Sequence, residues 1–215
     1  MQTAIKICGL TDTDAINALI ETKANYAGFV HYPSSPRHVS LEQAKRLSSL
    51  LPDTIHSVAV LVDPDDDLLL SISSQLSPNY IQLHGSESPE RMYVIRELVP
   101  QCGLIKALPI SGADDVAMAA KYTDIADMLL FDAKPPSASG MLPGGNALSF
   151  DWAILTHREF SRPWFLSGGL NASNVEEALA VSGAPMVDVS SGVESNPGVK
   201  DPMLIQEFVT AARKS

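Results

Sequence analysis

Eight short apolar runs, separated by helix-patterned segments, constrain the fold of this chain more than any other feature. They are Ala4–Cys8, Tyr26–Val30, His56–Val62, Tyr80–Leu83, Leu104–Leu108, Met128–Phe131, Trp164–Ser167 and Met186–Val189. Several are apolar almost throughout, as in parallel strands covered on both faces. Parallel neighbours must be joined by crossovers, and these are right-handed. Eight units of about 27 residues in a chain of 215 suit an α/β fold, a single (β/α)8 TIM barrel with parallel strands. A doubly wound open sheet is the alternative. It normally has fewer strands and a dinucleotide or phosphate-loop glycine pattern, and neither GxGxxG after a strand nor GxxxxGK(S/T) occurs here. The barrel is preferred, with residues 1–215 as one domain.

The segments between the runs carry helix signals. Thr11 precedes Asp12 and Asp14, after which Ala15, Ile16, Leu19 and Ile20 fall on one helical face. Ser40 with Gln43, and Ser173 with Glu176, have capping-box spacing. Asp63-Pro64 and Ser88-Pro89 each place an N-cap residue before a proline at the first helical position. A last helix is expected from about Pro202 to Arg213, and a short one near Phe150–Thr156. Between the sixth strand and that short helix, residues 134–147 are rich in proline, glycine and serine, the pattern of a long active-site loop.

Fifteen basic against twenty-five acidic residues give a net charge of -10. An acidic surface offers no counter-charge to nucleic acid or anionic lipid. No apolar run is long enough to span a membrane, and the opening residues lack the pattern of a secretory signal. Two cysteines imply no disulfide framework, which points to a reducing cytoplasm.

In a barrel the reactive groups lie at the carboxyl ends of strands. Those ends offer Cys8-Gly9, His31 with Arg37 nearby, Asp63, His84-Gly85, Asp132, Ser167-Gly168-Gly169 and Asp188-Val189-Ser190-Ser191-Gly192. Small residues after strands seven and eight let main-chain N–H groups approach a phosphate, or else simply make tight turns. Cys8 is either a proton base, given dipoles or cations that favour thiolate, or an inert buried residue. Asp132 ends an apolar run and reads as a general acid, a helix cap or a partner for Lys134. His31, His84, Asp63 and Asp132 sit where a metal ligand set is conceivable, but the expectation is no metal. His38, His56 and His157 read as surface or core residues, Asp63–Asp67 as a solvated helix start, and Cys102 as structural.

Five segments together resemble one family over essentially the whole chain, the N-(5'-phosphoribosyl)anthranilate isomerases of tryptophan biosynthesis. Lys6-Ile7-Cys8-Gly9-Leu10-Thr11 is similar to KICG(I/L)T, and Gly28-Phe29-Val30-His31-Tyr32-Pro33-Ser34-Ser35-Pro36-Arg37 to GFVFYPxSPR. Gln82-Leu83-His84-Gly85 resembles QLHG, Ser167-Gly168-Gly169-Leu170-Asn171 resembles (A/S)GGLN, and Asp188 to Glu194 resembles DVSSGVE. His31 stands where phenylalanine is commoner, and Gly144-Gly145-Asn146-Ala147 replaces the usual GGTG.

The resemblance implies an aldose–ketose isomerase with Cys8 as general base and Asp132 as general acid. It implies a small phosphorylated sugar–anthranilate substrate, no cofactor, and either a monomer or a homodimer. Substrate contacts are expected from Arg37, His84, Gly85, Gly144 and Gly145, with Arg37 on the anthranilate carboxylate. Phosphate contacts are expected from Ser167, Gly168, Gly169, Asp188, Ser190, Ser191 and Gly192. The rivals are a metal-dependent pentulose-phosphate epimerase, a histidine-biosynthesis barrel with aspartate in place of Cys8, and a non-catalytic phospho-ligand binder.

Overall fold

The computed structural model describes residues 2–134, 144 and 149–214. Strand and helix alternate as β1 (Ala4–Cys8), α1 (Thr13–Glu21), β2 (Tyr26–Val30), α2 (Leu41–Ser48), β3 (His56–Leu61), α3 (Asp66–Gln75), β4 (Tyr80–Leu83) and α4 (Pro89–Leu98). The second half runs β5 (Gly103–Ile110), α5 (Ala113–Ala117), β6 (Met128–Ala133), a 3-10 turn (Trp152–Leu155), β7 (Trp164–Leu166), α6 (Val175–Ser182) and β8 (Met186–Val189). A two-stranded hairpin, β9 (Glu194–Asn196) with β10 (Val199–Lys200), precedes α7 (Pro202–Ala212). Strands β1 to β8 pair in chain order into a closed barrel, and β8 returns to β1 with Lys6 opposite Asp188. Among the described residues no helix is long and apolar enough to cross a membrane.

Side-chain caps start most of the helices. Asp12 accepts from the Ala15 N–H, Ser40 from Gln43, Ser88 from Arg91, and Asp201 from Met203 and Leu204. Each removes one orphan donor from a first turn and is worth about 1 kcal/mol. Two expected starts are corrected. Asp65, not Asp63 before Pro64, caps α3 through the Leu68 N–H. Asp63 adopts a left-handed φ of 44°, and its carboxylate instead accepts from the main chain and hydroxyl of Ser86. Likewise α6 begins after Asn174, not Ser173, because the Ser173 hydroxyl donates to Asn171 instead. Asn174 braces the preceding loop, accepting from the Asn171 N–H and donating to the Gly169 carbonyl.

Alternation along each strand sends one set of side chains out to the helices and the other into the barrel. The inner set includes Tyr26, Val58, Val60, Ile105, Ala107, Leu130, Phe165 and Met186, with Cys8 above them. At the amino-terminal end Tyr26, His56, Tyr80 and Phe165 form a tilted and edge-to-face cluster, with centroids 5.2 to 5.9 Å apart. These rings floor the barrel. Cys102 is buried in the turn before β5, at the amino-terminal end of that strand.

Candidate active site

The carboxyl ends of the strands surround a pocket that opens to solvent. Cys8, Arg37, His84, Asp132, Gly144, Ser167, Gly168, Gly169, Asp188, Ser190 and Ser191 all line it. Most of the residues singled out from sequence thus converge on one cavity. Gly85 and Gly192 are not among its walls, and Gly145 lies outside the described residues.

Cys8 is the last residue of β1 and is 7 % exposed. Its neighbour in β2 is Gly28, where a Cβ would lie 3.0 Å from the Cys8 sulfur, so glycine gives the thiol room. Burial pushes the Cys8 thiol up. The Lys6 ammonium and, more weakly, Lys200 oppose that push, and the Asp188 carboxylate adds to it.

Asp132, near the end of β6, is 6 % exposed. One carboxylate oxygen accepts from the Ala133 N–H at 2.9 Å, and the other lies 3.2 Å from Nε2 of His84. Nδ1 of His84 is 2.7 Å from the Gln82 side-chain amide. With that amide donating to Nδ1, Nε2 carries the proton and donates to Asp132. The alternative partner for Asp132 falls away, because Lys134 reaches Asp115 instead, at 3.4 Å. A Cβ on Gly144 would sit 2.6 Å from Nε2 of His84 and 2.8 Å from Asp132, so only a residue without a side chain fits over this pair.

Arg37 is buried and grips Glu194 with two parallel bonds, Nε to Oε1 at 2.7 Å and a terminal nitrogen to Oε2 at 2.9 Å. Glu194 also accepts from Lys200 at 2.5 Å. Burial opposes its ionisation, yet Arg37 and Lys200 together hold its carboxyl below the usual range. Gly9, at φ 79°, makes way for the Arg37 stem, since a Cβ there would lie 2.7 Å from Arg37 Cδ.

Four of the expected contact residues have other partners or lie off the pocket wall. Gly85 is a packing position: its N–H donates to Glu87, its carbonyl accepts from Lys106, and a Cβ would meet Asp63 at 2.5 Å. Asp188 is a buried carboxylate bound by Lys6 at 2.7 Å and by the Ser167 hydroxyl at 3.1 Å, and its charge repels an anion. Ser167 spends its hydroxyl there and its N–H on the Phe131 carbonyl, leaving neither donor for a phosphate. Beside them, Gly168, Gly169, Ser190 and Ser191 form the pocket wall at the ends of β7 and β8. Gly192 stands behind them, with its absent Cβ only 1.8 Å from the Leu170 carbonyl oxygen. It lets the β7 and β8 loops touch. Gly192→Ala should force them apart and cost about 1–3 kcal/mol, read as a lower denaturation midpoint together with weaker binding of phosphorylated ligands.

The charged residues that sequence reasoning left without a role are Lys6, Glu194 and Lys200, and outside the barrel the buried Lys106–Glu87 pair at 2.6 Å. Lys6 had a usable signal, since a lysine two places before a strand-end cysteine must share its face. Among the described residues no group of three or more His, Cys, Asp or Glu side chains is arranged to hold a metal ion.

His31 does not line the pocket. It is 5 % exposed, its Nε2 has no partner, and burial pushes its pKa down to about 4. The folded chain therefore keeps His31 neutral while the unfolded chain protonates it below pH 6.5. This contribution to stability falls as the pH drops from about 6.5 to about 4, and is level on either side. His31→Phe should abolish that slope. Urea denaturation at pH 7 and pH 5 should show about 2 kcal/mol less acid loss in the variant than in the parent.

A family model described as N-(5'-phosphoribosyl)anthranilate (PRA) isomerase matches residues 5–211. The N-(5'-phosphoribosyl)anthranilate isomerase of Paramagnetospirillum magneticum is 48 % identical over 213 residues, covering 99 % of this chain and 98 % of that protein. The crystal structure of phosphoribosyl anthranilate isomerase from Thermotoga maritima superposes with a TM-score of 0.87 at 36 % identity, covering 99 % of this chain and all of that one. A phosphoribosyl anthranilate isomerase in complex with reduced 1-(o-carboxyphenylamino)-1-deoxyribulose 5-phosphate superposes with a TM-score of 0.85, also at 36 % identity and with the same coverage. With its closed barrel, its pocket at the strand ends and this full-length likeness, the chain belongs to the N-(5'-phosphoribosyl)anthranilate isomerase family.

Proposed function

We propose that the pocket converts N-(5-phosphoribosyl)anthranilate into 1-(2-carboxyphenylamino)-1-deoxyribulose 5-phosphate, an Amadori rearrangement in tryptophan biosynthesis. The observation that carries this reading is that Cys8 and Asp132, from β1 and β6, line one cavity beside the glycine loops of β7 and β8. The phosphate is bound by main-chain N–H groups of Gly168, Gly169, Ser190 and Ser191, so the acidic surface is no obstacle. Arg37 takes the anthranilate carboxylate. One anion, Glu194, lies between two cations there, and the surplus positive charge suits a carboxylate.

Asp132, aimed by His84, protonates the ring oxygen. The furanose opens to a protonated imine between C1 and the anthranilate nitrogen. Cys8, as thiolate, removes the C2 proton, and the electrons of that C–H bond flow toward the nitrogen to give an enolamine. Protonation of C1 with loss of the C2 hydroxyl proton then yields the ketone. The imine nitrogen is the electron sink, so this sequence calls on no cofactor. Each transfer by a well-placed group contributes about 10²–10⁴-fold, and anchoring both ends of the substrate supplies orientation. The partner is thus a small phosphorylated metabolite rather than nucleic acid, and the setting is the cytoplasm.

The test is fluorescence-monitored conversion of freshly generated phosphoribosylanthranilate, with and without a chelator. Enzyme-dependent loss of the substrate signal, insensitive to the chelator, is the expected result. No enzyme-dependent change would overturn the reading, and activity lost to the chelator and restored by zinc or iron would favour the epimerase class.

A further inference from the structure

Lys6 is fully buried inside the barrel, and no step of the mechanism above uses it. It lies two residues before Cys8 on β1, so alternation puts both side chains on the inner face. Across the β1–β8 ladder its register partner is Asp188, and the Lys6 Nζ donates to the Asp188 carboxylate at 2.7 Å. The second oxygen of Asp188 is held by the Ser167 hydroxyl at 3.1 Å, which fixes the carboxylate and, with it, the lysine. The ammonium's charge also acts on Cys8, its neighbour two residues on along the same face.

The charges around Cys8 can be assigned strand by strand. From β1 Lys6 favours the thiolate, and from β8 Asp188 disfavours it. From β10 Lys200 favours it, reaching over the site by donating to the Ser190 carbonyl at 3.0 Å. β2 presents no charge on this face, with Gly28 next to the sulfur and Tyr26 and Val30 packed in the same cluster. Tyr32, Arg37, His84 and Asp132 complete the charged and titratable walls of the pocket among the described residues. Burial itself works against a thiolate. The cation sharing both strand and face with the sulfur is Lys6.

We propose that Lys6 is the positioning residue of the base: its ammonium, tethered to Asp188 beneath Cys8, favours the thiolate and keeps it in the pocket. The proposal rests on the reading of Cys8 as the base. When Cys8 takes the C2 proton it becomes a neutral thiol, while Lys6 and Asp188 persist as a paired cation and anion. The charge left below the thiol is therefore neutral at both ends of the proton transfer.

The experiment measures the pH dependence of iodoacetamide alkylation of Cys8 in a Cys102→Ala background, without substrate. Lys6→Met should raise the alkylation midpoint by about one pH unit or more, a roughly tenfold loss of thiolate at a pH below it. Asp188→Asn should lower the midpoint, because it removes an anion and leaves the cation. A merely structural role for the pair would loosen the pocket in both variants and speed alkylation at every pH without opposite movements. A Lys6→Met midpoint within about 0.3 unit of the parent, or an Asp188→Asn midpoint at or above it, overturns the proposal. If Lys6→Met fails to fold, the Asp188→Asn shift decides alone, downward in support and otherwise against. Turnover by Cys8→Ala tests the base assignment separately, so the two ideas fail distinguishably.

Discussion

Asp132→Asn is expected to cut turnover by about 10²–10⁴-fold while leaving the fold intact. Asparagine keeps the shape of the side chain and an oxygen able to accept from the Ala133 N–H, so the end of β6 should hold its place. Its second position becomes an amide, which has no acidic proton to transfer to a ring oxygen and meets the Nε2 proton of His84 with a donor. The loss should therefore appear in kcat, with the denaturation midpoint close to the parent's and a phosphorylated product analogue still bound. Turnover within tenfold of the parent would remove Asp132 from the acid role.

The second large effect is expected from Cys8→Ala. Deleting one sulfur beside Gly28 disturbs little packing, because that side of β1 faces the pocket. It removes the group proposed to accept the C2 proton, and turnover should fall by about 10²–10⁴-fold. Cys8→Ser is the sharper comparison. A hydroxyl is similar in size but gives up its proton far less readily than a thiol, so the serine variant should resemble the alanine one rather than the parent. Near-parental turnover in either variant would show that another group takes the proton.

The eight strands could be read from sequence because parallel strands, buried on both faces, are written as apolar runs. Seven of the eight runs begin where the strands do, and β5 begins one residue earlier, at Gly103. Strand ends in turn located the site: Cys8, His84, Asp132 and Ser167 all reach one cavity. Helix starts were less legible. Asp63-Pro64 and Ser173 have the spacing of caps, but tertiary contacts with Ser86 and Asn171 claim their side chains. The ion pairs were not legible at all. Lys6 and Asp188 are 182 residues apart, Arg37 and Glu194 are 157 apart, and only closure of the barrel brings such charges together. Asp188 and Ser167 were read as phosphate ligands for the same reason. Ser167 opens a small-residue loop and Asp188 stands in β8 just before one, and nothing in the local sequence tells which of their polar atoms are already engaged.

The ring of Tyr26, His56, Tyr80 and Phe165 has a consequence for traffic. It stops the barrel like a cork at its base, so among the described residues the pocket is approached from the carboxyl ends of the strands. Whatever enters must back out the same way after it has been transformed, and a departing molecule blocks the next arrival. On the proposed phosphate site, throughput is tied to how quickly that main-chain cradle lets go, and an accumulating product competes with fresh substrate at the threshold.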